Sequence, residues 1–483
     1  MHILNVYRLL AVLLFAAFFS LAALHAPASA KTLSFDNAAW KGDFDGMRTR
    51  GVIRVLVPYS RTLFYHDKGS ERGVTATLVR EFEKHLLKKY GGKGKIPVTI
   101  AIIPTTRDKL MKDLRAGRGD IAAGDITITA DRARDIDFSI PIGKPFNEVI
   151  LSGPSSPPVK TLDDMAGKTV YARPITSYYT HLKDMNRDFA KRKLPQMKIA
   201  RLPDDLADED VLEMVNAGLI DFAVADSWLA DVWRKPLPKM KIHGDINPAT
   251  GMQAAWAFRK NSPLLVAEVN DFIKNKINKQ GLATVAVRQA KLRALPLKNS
   301  RTDAEIKRFG DSIDVFKKYG GQYGFDHLML SAQGYQESRL DQAARSPVGA
   351  IGIMQVMPAT GKDMKVGDIT KMEPNIHAGT KYMDFILKNF FKDADLDAKN
   401  RTLFAFASYN AGPTRIKKLR QEAADKGYNP NLWFDNVERI VAQRVGQEPV
   451  LYVRNIYKYY VAYKLAQDAR EVQLSSARRL FNP

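Results

Sequence analysis

The chain has 483 residues, no cysteine, and a formal net charge of +22 from 74 basic and 52 acidic residues. A chain without cysteine has no disulfide, thiolate metal site, iron–sulfur cluster, cysteine nucleophile or lipidated N-terminal cysteine. A hydrophobic share of 45% with 26% charged residues belongs to a folded protein of two or three domains, and the basic excess points to a polyanion: nucleic acid, anionic lipid or an acidic wall polymer.

Residues 1–30 read as a signal peptide. Arg8 supplies the charged start, residues 9–24 form an apolar run, and Ala28-Ser29-Ala30 offers small residues at the cleavage positions. The run is short for a spanning helix, and an uncleaved anchor is the alternative. Export into a bacterial periplasm removes nucleic acid from the partners and leaves anionic lipid and peptidoglycan.

From about residue 51 to 295, β-branched runs alternate with helical stretches. Strands are predicted at 52–57, 98–102 and 120–123, with helices at 74–87 and 109–114 between them. The stretch Ser152-Gly153-Pro154-Ser155-Ser156-Pro157-Pro158 reads as a crossover between two lobes, near 151–160. Further strands follow at 169–172 and 222–225, and a return to the first lobe is expected near 248–255. Such alternation predicts α/β sheets with helices on their faces. After Pro296 helical patterns dominate, at 306–319, 326–338, 375–389, 402–409 and 450–466. The expected organisation is a multidomain chain, α/β over 31–298 and mainly helical over 299–483.

Two constellations carry chemistry. In the first half, Gly124-Asp125-Ile126-Thr127-Ile128-Thr129-Ala130-Asp131-Arg132 ends a strand in small and hydroxyl residues before an arginine, a pattern suited to a carboxylate. A second strand, Phe222-Ala223-Val224-Ala225-Asp226, ends in a carboxylate suited to an amino group. These residues, with Ile136-Asp137-Phe138-Ser139-Ile140-Pro141, resemble the family-3 solute-binding proteins, the amino-acid receptors of ABC importers. The resemblance implies a bilobal, periplasmic-binding-protein-like domain. It assigns the ligand carboxylate to Arg132 and Thr127, the amino group to Asp226, and an aromatic platform to Tyr59 or Phe64. The family's Gly-Thr-Thr loop is Ile175-Thr176-Ser177 here, which leaves Ser177 as its contact.

In the second half, Asp326 is placed to cap a helix with Leu328, Met329, Ala332 and Tyr335 facing inward. Glu337 falls at its C-terminal end, where the helix dipole disfavours negative charge, and burial would act in the same direction. A carboxyl group kept protonated can serve as a general acid. A solvated glutamate at a helix end is the ordinary alternative. The neighbouring motifs argue against it: Gln336-Glu337-Ser338, Ser346-Pro347-Val348-Gly349-Ala350-Ile351-Gly352-Ile353-Met354-Gln355, Asn375-Ile376-His377-Ala378-Gly379, Ser408-Tyr409-Asn410-Ala411-Gly412, and Glu448-Pro449-Val450-Leu451-Tyr452-Val453. In this order they resemble the soluble lytic transglycosylases, across about residues 316–465, with a lysozyme-like fold. The resemblance makes Glu337 the sole acid/base. It sets Ser346 beside the reacting sugar, Met354 and Gln355 along the glycan groove, Tyr409 and Asn410 opposite the glutamate, and Tyr452 in the closing motif. Pro449 stands where that motif has threonine, and Gln342 where the family often has proline.

A glycoside hydrolase commonly pairs two carboxylates, and no convincing second one is aimed at the bond from these motifs. A lone glutamate suits a transglycosylase that forms 1,6-anhydro-muramoyl ends, with no metal or cofactor. A hydrolytic lysozyme and a ligand sensor with an inactive lysozyme-like domain are the alternatives. The fusion as a whole resembles the F type of membrane-bound lytic murein transglycosylases. The implied partners are glycan strands, an amino-acid or muropeptide ligand in the first domain, and peripheral contact with the outer membrane.

Overall fold

The computed structural model describes residues 39–92, 97–293, 303–392 and 394–481. The expected signal segment and the expected junction at 295–300 lie outside the described residues.

The first lobe is a five-stranded sheet in the order Thr99–Thr105, Val52–Pro58, Ile121–Thr127, Ala254–Arg259, Ile136–Phe138. The first three strands run parallel, and Ala254–Arg259 runs antiparallel beside Ile121–Thr127. Helices cover both faces, which is why Val52–Pro58 is an almost unbroken apolar run and is buried nearly throughout. The helix Val74–Tyr90 turns Leu78, Val79, Phe82 and Leu86 onto the sheet, where they meet Trp256 and Phe272.

The second lobe has the order Lys241–His243, Phe146–Ser152, Phe222–Asp226, Thr169–Ala172, Lys198–Arg201, with Ala249–Met252 also on Phe146–Ser152. Phe146–Ser152 pairs antiparallel with Phe222–Asp226 over its length. The chain has therefore entered the second sheet by Phe146, and the crossover is residues 139–145, not 151–160. The Gly/Pro/Ser stretch is a turn inside the second lobe: Gly153 N–H donates to Asp221 O and to Ser156 Oγ. The chain passes back at Gln253, between Ala249–Met252 and Ala254–Arg259.

The last third is helical. The helix His327–Ser338 is buried along residues 328–335 and packs against Asp303–Tyr323 and Gln447–Phe481. The helices Met372–Phe390 and Ala398–Ala411 complete the layer. Apolar packing continues from the second lobe (Leu151, Leu212, Val215) into this helical core (Leu330, Phe404, Val453) as one cluster. No helix among the described residues is long and apolar enough to cross a membrane.

Candidate active site and ligand cleft

The helix His327–Ser338 fixes Glu337. Asp326 caps its start, accepting from Leu328 N–H at 2.8 Å. Its end is set by Arg339, at φ 57°, whose N–H returns to the last turn. Glu337 is half-buried one residue before that end. Tyr452, buried on the helix Gln447–Phe481, donates its hydroxyl to Glu337 Oε1 at 2.5 Å. Gln333, one turn before Glu337, donates to the Tyr452 hydroxyl at 3.2 Å. Burial pushes the Glu337 carboxyl up to about 7; the Tyr452 hydrogen bond opposes this and the charge of Glu448 adds to it.

The segment that follows the helix His327–Ser338, residues 339–357, is tied down by hydrogen bonds. Ser346 Oγ accepts from Ala350 N–H at 2.9 Å, so its hydroxyl holds the loop as well as lying in it. Asn375, wholly buried, donates to Ile351 O and Ile369 O and accepts from Met354 N–H. Gly352, at φ 74°, leaves room for Asn375 and Gln342, which a Cβ would approach to 2.6 and 2.5 Å. Gln342 itself donates to Ile369 O and Thr370 O and accepts from Ile353 N–H, three contacts that proline could not supply. Gln355, at φ 46°, donates to Gly352 O.

Met354 corrects one expectation. Its side chain is fully buried against Gly379, where a Cβ would come within 2.7 Å, and does not line a groove. Its carbonyl matters instead: Tyr409 donates its hydroxyl to Met354 O at 2.7 Å, which fixes the tyrosine beside the glutamate. Asn410 donates to Glu448 Oε1 at 2.9 Å, while its own Oδ1 is buried without a partner. Glu448 is close enough for its charge to act on Glu337.

In the first half, Thr127, Arg132, Ser177 and Asp226 line one cleft of about 280 Å³ between the lobes. Arg132 donates to Thr127 O at 2.8 Å. Ser177 begins the helix Ser177–Lys191 and donates to Glu148. Asp226 ends a buried strand, and its Oδ1 has no hydrogen-bond partner. Tyr59 is elsewhere. Its ring lies 5.1 Å from the Arg454 guanidinium, and Gln447 donates to its hydroxyl at 3.1 Å. It is thus a contact with the C-terminal helix, not a platform for ligand. Phe64 is sealed in the first-lobe core. Asp125 and Arg107 are cleft residues that the sequence reading did not single out; the acid directly after Gly124, where a strand opens into the ligand loop, was the available signal.

Among the described residues, His85, Glu268 and Asp271 could offer three donors to a metal ion. Lys89 Nζ already lies 2.9 Å from Glu268 Oε1.

Residues 53–287 match the family model of bacterial extracellular solute-binding proteins, family 3, and residues 314–432 match the transglycosylase SLT domain. The class is therefore a transglycosylase that carries a solute-binding module on the same chain. A relative from Desulfosudis oleivorans, membrane-bound lytic murein transglycosylase F, is 30% identical over 86% of this chain and 90% of its own. One of the same name from Pseudomonas fluorescens is 27% identical over 85% and 84%. The chain belongs to the membrane-bound lytic murein transglycosylase F family. Among solved structures it is similar to an amino-acid ABC transporter substrate-binding protein from Streptococcus pneumoniae bound to L-arginine, with 18% identity, TM-score 0.43, and coverage of 51% of this chain and 98% of that one. An ancestral arginine-binding protein bound to arginine is 22% identical at TM-score 0.40, covering 50% and 98%.

Proposed function

We propose that the helical domain cleaves the β-1,4 bond between N-acetylmuramic acid and N-acetylglucosamine and leaves a 1,6-anhydro end. Glu337 gives its proton to the glycosidic oxygen as that bond breaks. The N-acetyl group of the muramoyl sugar supports the cation at C1. Glu337, now a carboxylate, takes the proton of the C6 hydroxyl, and that oxygen closes onto C1. No water is consumed, and ring closure gains from proximity. Ser346, Gln355, Tyr409 and Asn410 hold the sugars, and Tyr452 orients the carboxyl.

The observation that carries this reading is Glu337 itself, a carboxyl raised to about 7 by burial and held by one tyrosine hydroxyl. A group with that affinity for protons can act as acid and then as base near neutrality. Mass spectrometry of soluble products from purified sacculi tests it, with wild type beside Glu337→Gln. Anhydro-muropeptides from wild type alone are expected. Reducing muramic acid ends would instead favour the hydrolytic reading, for which Glu448 is a nearby second carboxylate among the described residues.

The first domain, on this proposal, takes an amino-acid or muropeptide-like ligand through Arg132, Thr127, Ser177 and Asp226, and its lobes bias the enzyme. Support comes from the C-terminal helix: Tyr452 reaches Glu337, and on the same helix Arg454 and Lys458 reach the second-lobe acids Asp210 and Glu213. Tethering to the wall is the simpler alternative. The expected location is the periplasm, with peripheral contact at the inner face of the outer membrane drawn by the basic charge. Recovery with membranes that is abolished by high salt would support the peripheral contact; recovery that survives salt would argue against it.

A further inference from the structure

Besides Asp108, the cleft between the lobes is lined by Asp125, Asp208 and Asp226, with Glu148 buried behind Ser177, more carboxyl groups than one ligand ammonium needs. Two are already answered. Asp208 is held by Arg107 Nη2 at 2.7 Å and by Arg173. Glu148 accepts from Ser177 Oγ and meets His181 Nδ1, both at 2.8 Å. The other two answer each other. Asp125, on the first-lobe strand Ile121–Thr127, and Asp226, at the end of the second-lobe strand Phe222–Asp226, are in hydrogen-bond contact across the cleft.

Asp226 is 2% exposed, and its Oδ1 is unpartnered. Its N–H donates to the Tyr178 hydroxyl at 3.2 Å. The charged and titratable groups facing it are Asp125, Glu148, Asp208, Tyr178 and Arg132. Those facing Asp125 are Arg107, Arg132, Asp208, Asp226 and Tyr178, with the Trp228 indole as a further polar neighbour. Two touching carboxyls cannot both ionise in such a place, so the pair keeps one proton. Burial pushes both carboxyls above the ordinary carboxylate range.

We propose that Asp125 and Asp226 form a proton-for-ammonium exchange site, in which the primary ammonium group of the ligand seats between them and displaces their shared proton to solvent. The balance is simple. The singly negative pair and the cationic ligand give two carboxylates bridged by one ammonium, and one proton leaves. A primary ammonium has the three donors to satisfy both carboxylates; an acylated amine does not. The ligand class is thereby narrowed to molecules with a free primary amine, and affinity rises with pH until the pair has lost its proton. This inference rests on the reading of the cleft as an amino-acid or muropeptide site.

Titration calorimetry on the full chain tests it, from about pH 5 to about pH 8, in buffers of different ionisation enthalpy. The probes are free L-amino acids, a stem tripeptide with a free α-amino group, and the N-acetylated tripeptide. Expected are release of about one proton per ligand at the acid end, affinity rising about tenfold per pH unit there, and no binding of the acetylated peptide. Asp125→Asn keeps a residue that tolerates φ 57°. Its amide donates to Asp226, so that carboxylate stays ionised and both proton release and pH dependence shrink. Binding without proton release, flat affinity across this range, or equal binding of the acetylated peptide would overturn the exchange and leave the ligand reading standing. No binding of any probe at any pH would retire both.

Discussion

At the scale of single residues, the acid role proposed for Glu337 predicts the pH behaviour. An acid must carry its proton, so activity is expected to fall as pH rises past about 7. Two variants should move that limb in opposite directions. Tyr452→Phe removes the hydrogen bond that lowers the carboxyl, so the limb moves up. Glu448→Gln removes the charge that raises it, so the limb moves down. Rate profiles on sacculi read both, and a shared direction would contradict the assignment. Stability carries the same signature. The folded carboxyl lies above its ordinary value of 4.5, so the stability tied to its proton is full below about 4.5 and is lost as pH rises through about 7. Glu337→Gln should therefore unfold later than wild type in denaturant at about pH 8, by on the order of 1–2 kcal/mol after discounting for partial exposure. At about pH 4 the two should match.

At the scale of elements, the loop after the helix of Glu337 is held by Gln342 and Asn375 around Gly352. Gly352→Ala brings a Cβ to 2.5 Å from one and 2.6 Å from the other, at a φ that already disfavours side chains. A loss of about 2–4 kcal/mol in chemical denaturation is expected, with reduced turnover because the loop bearing Ser346 and Gln355 shifts. The helices of this domain could be read from their long 3.6-residue periodicity, and Glu337 and Tyr452 from the order of motifs around them. Long-range pairing could not. The turn-rich stretch at 152–158 announces a break, but only the pairing of Phe146–Ser152 with Phe222–Asp226 reveals which sheet it belongs to. The family resemblance assigns a ligand platform to Tyr59 or Phe64; what claims Tyr59 is Gln447 and Arg454, far along the chain. Met354 sits in a substrate motif yet is consumed by packing on Gly379.

At the scale of the whole molecule, the helix Asp208–Asn216 is a meeting point. From the first lobe, Ser60 Oγ donates to Glu209 and Arg61 to Glu213, both at 2.5 Å, and Thr62 N–H donates to Glu209 at 2.8 Å. From the C-terminal helix, Lys458 also bonds Glu213, and both of these side chains are 1% exposed. One buried glutamate thus takes a cation from each neighbour, and burial holds such an arrangement together only while every charge is answered. Parting the lobes withdraws Arg61 from Glu213. On the proposal that the lobes bias the enzyme, the change reaches Lys458, six residues along the same helix from Tyr452, which holds Glu337. Lys458→Met removes this connection while leaving the Arg61 pair and the ligand cleft intact. It should cost about 3 kcal/mol in unfolding experiments. On sacculi, the change in rate produced by saturating stem peptide in wild type should shrink several-fold in Lys458→Met, because a ligand shifts the enzyme only through contacts that differ between its states. A peptide effect of equal size in both proteins would show that the lobes act on the enzyme by another route. No effect of peptide in wild type would leave the first domain as a tether.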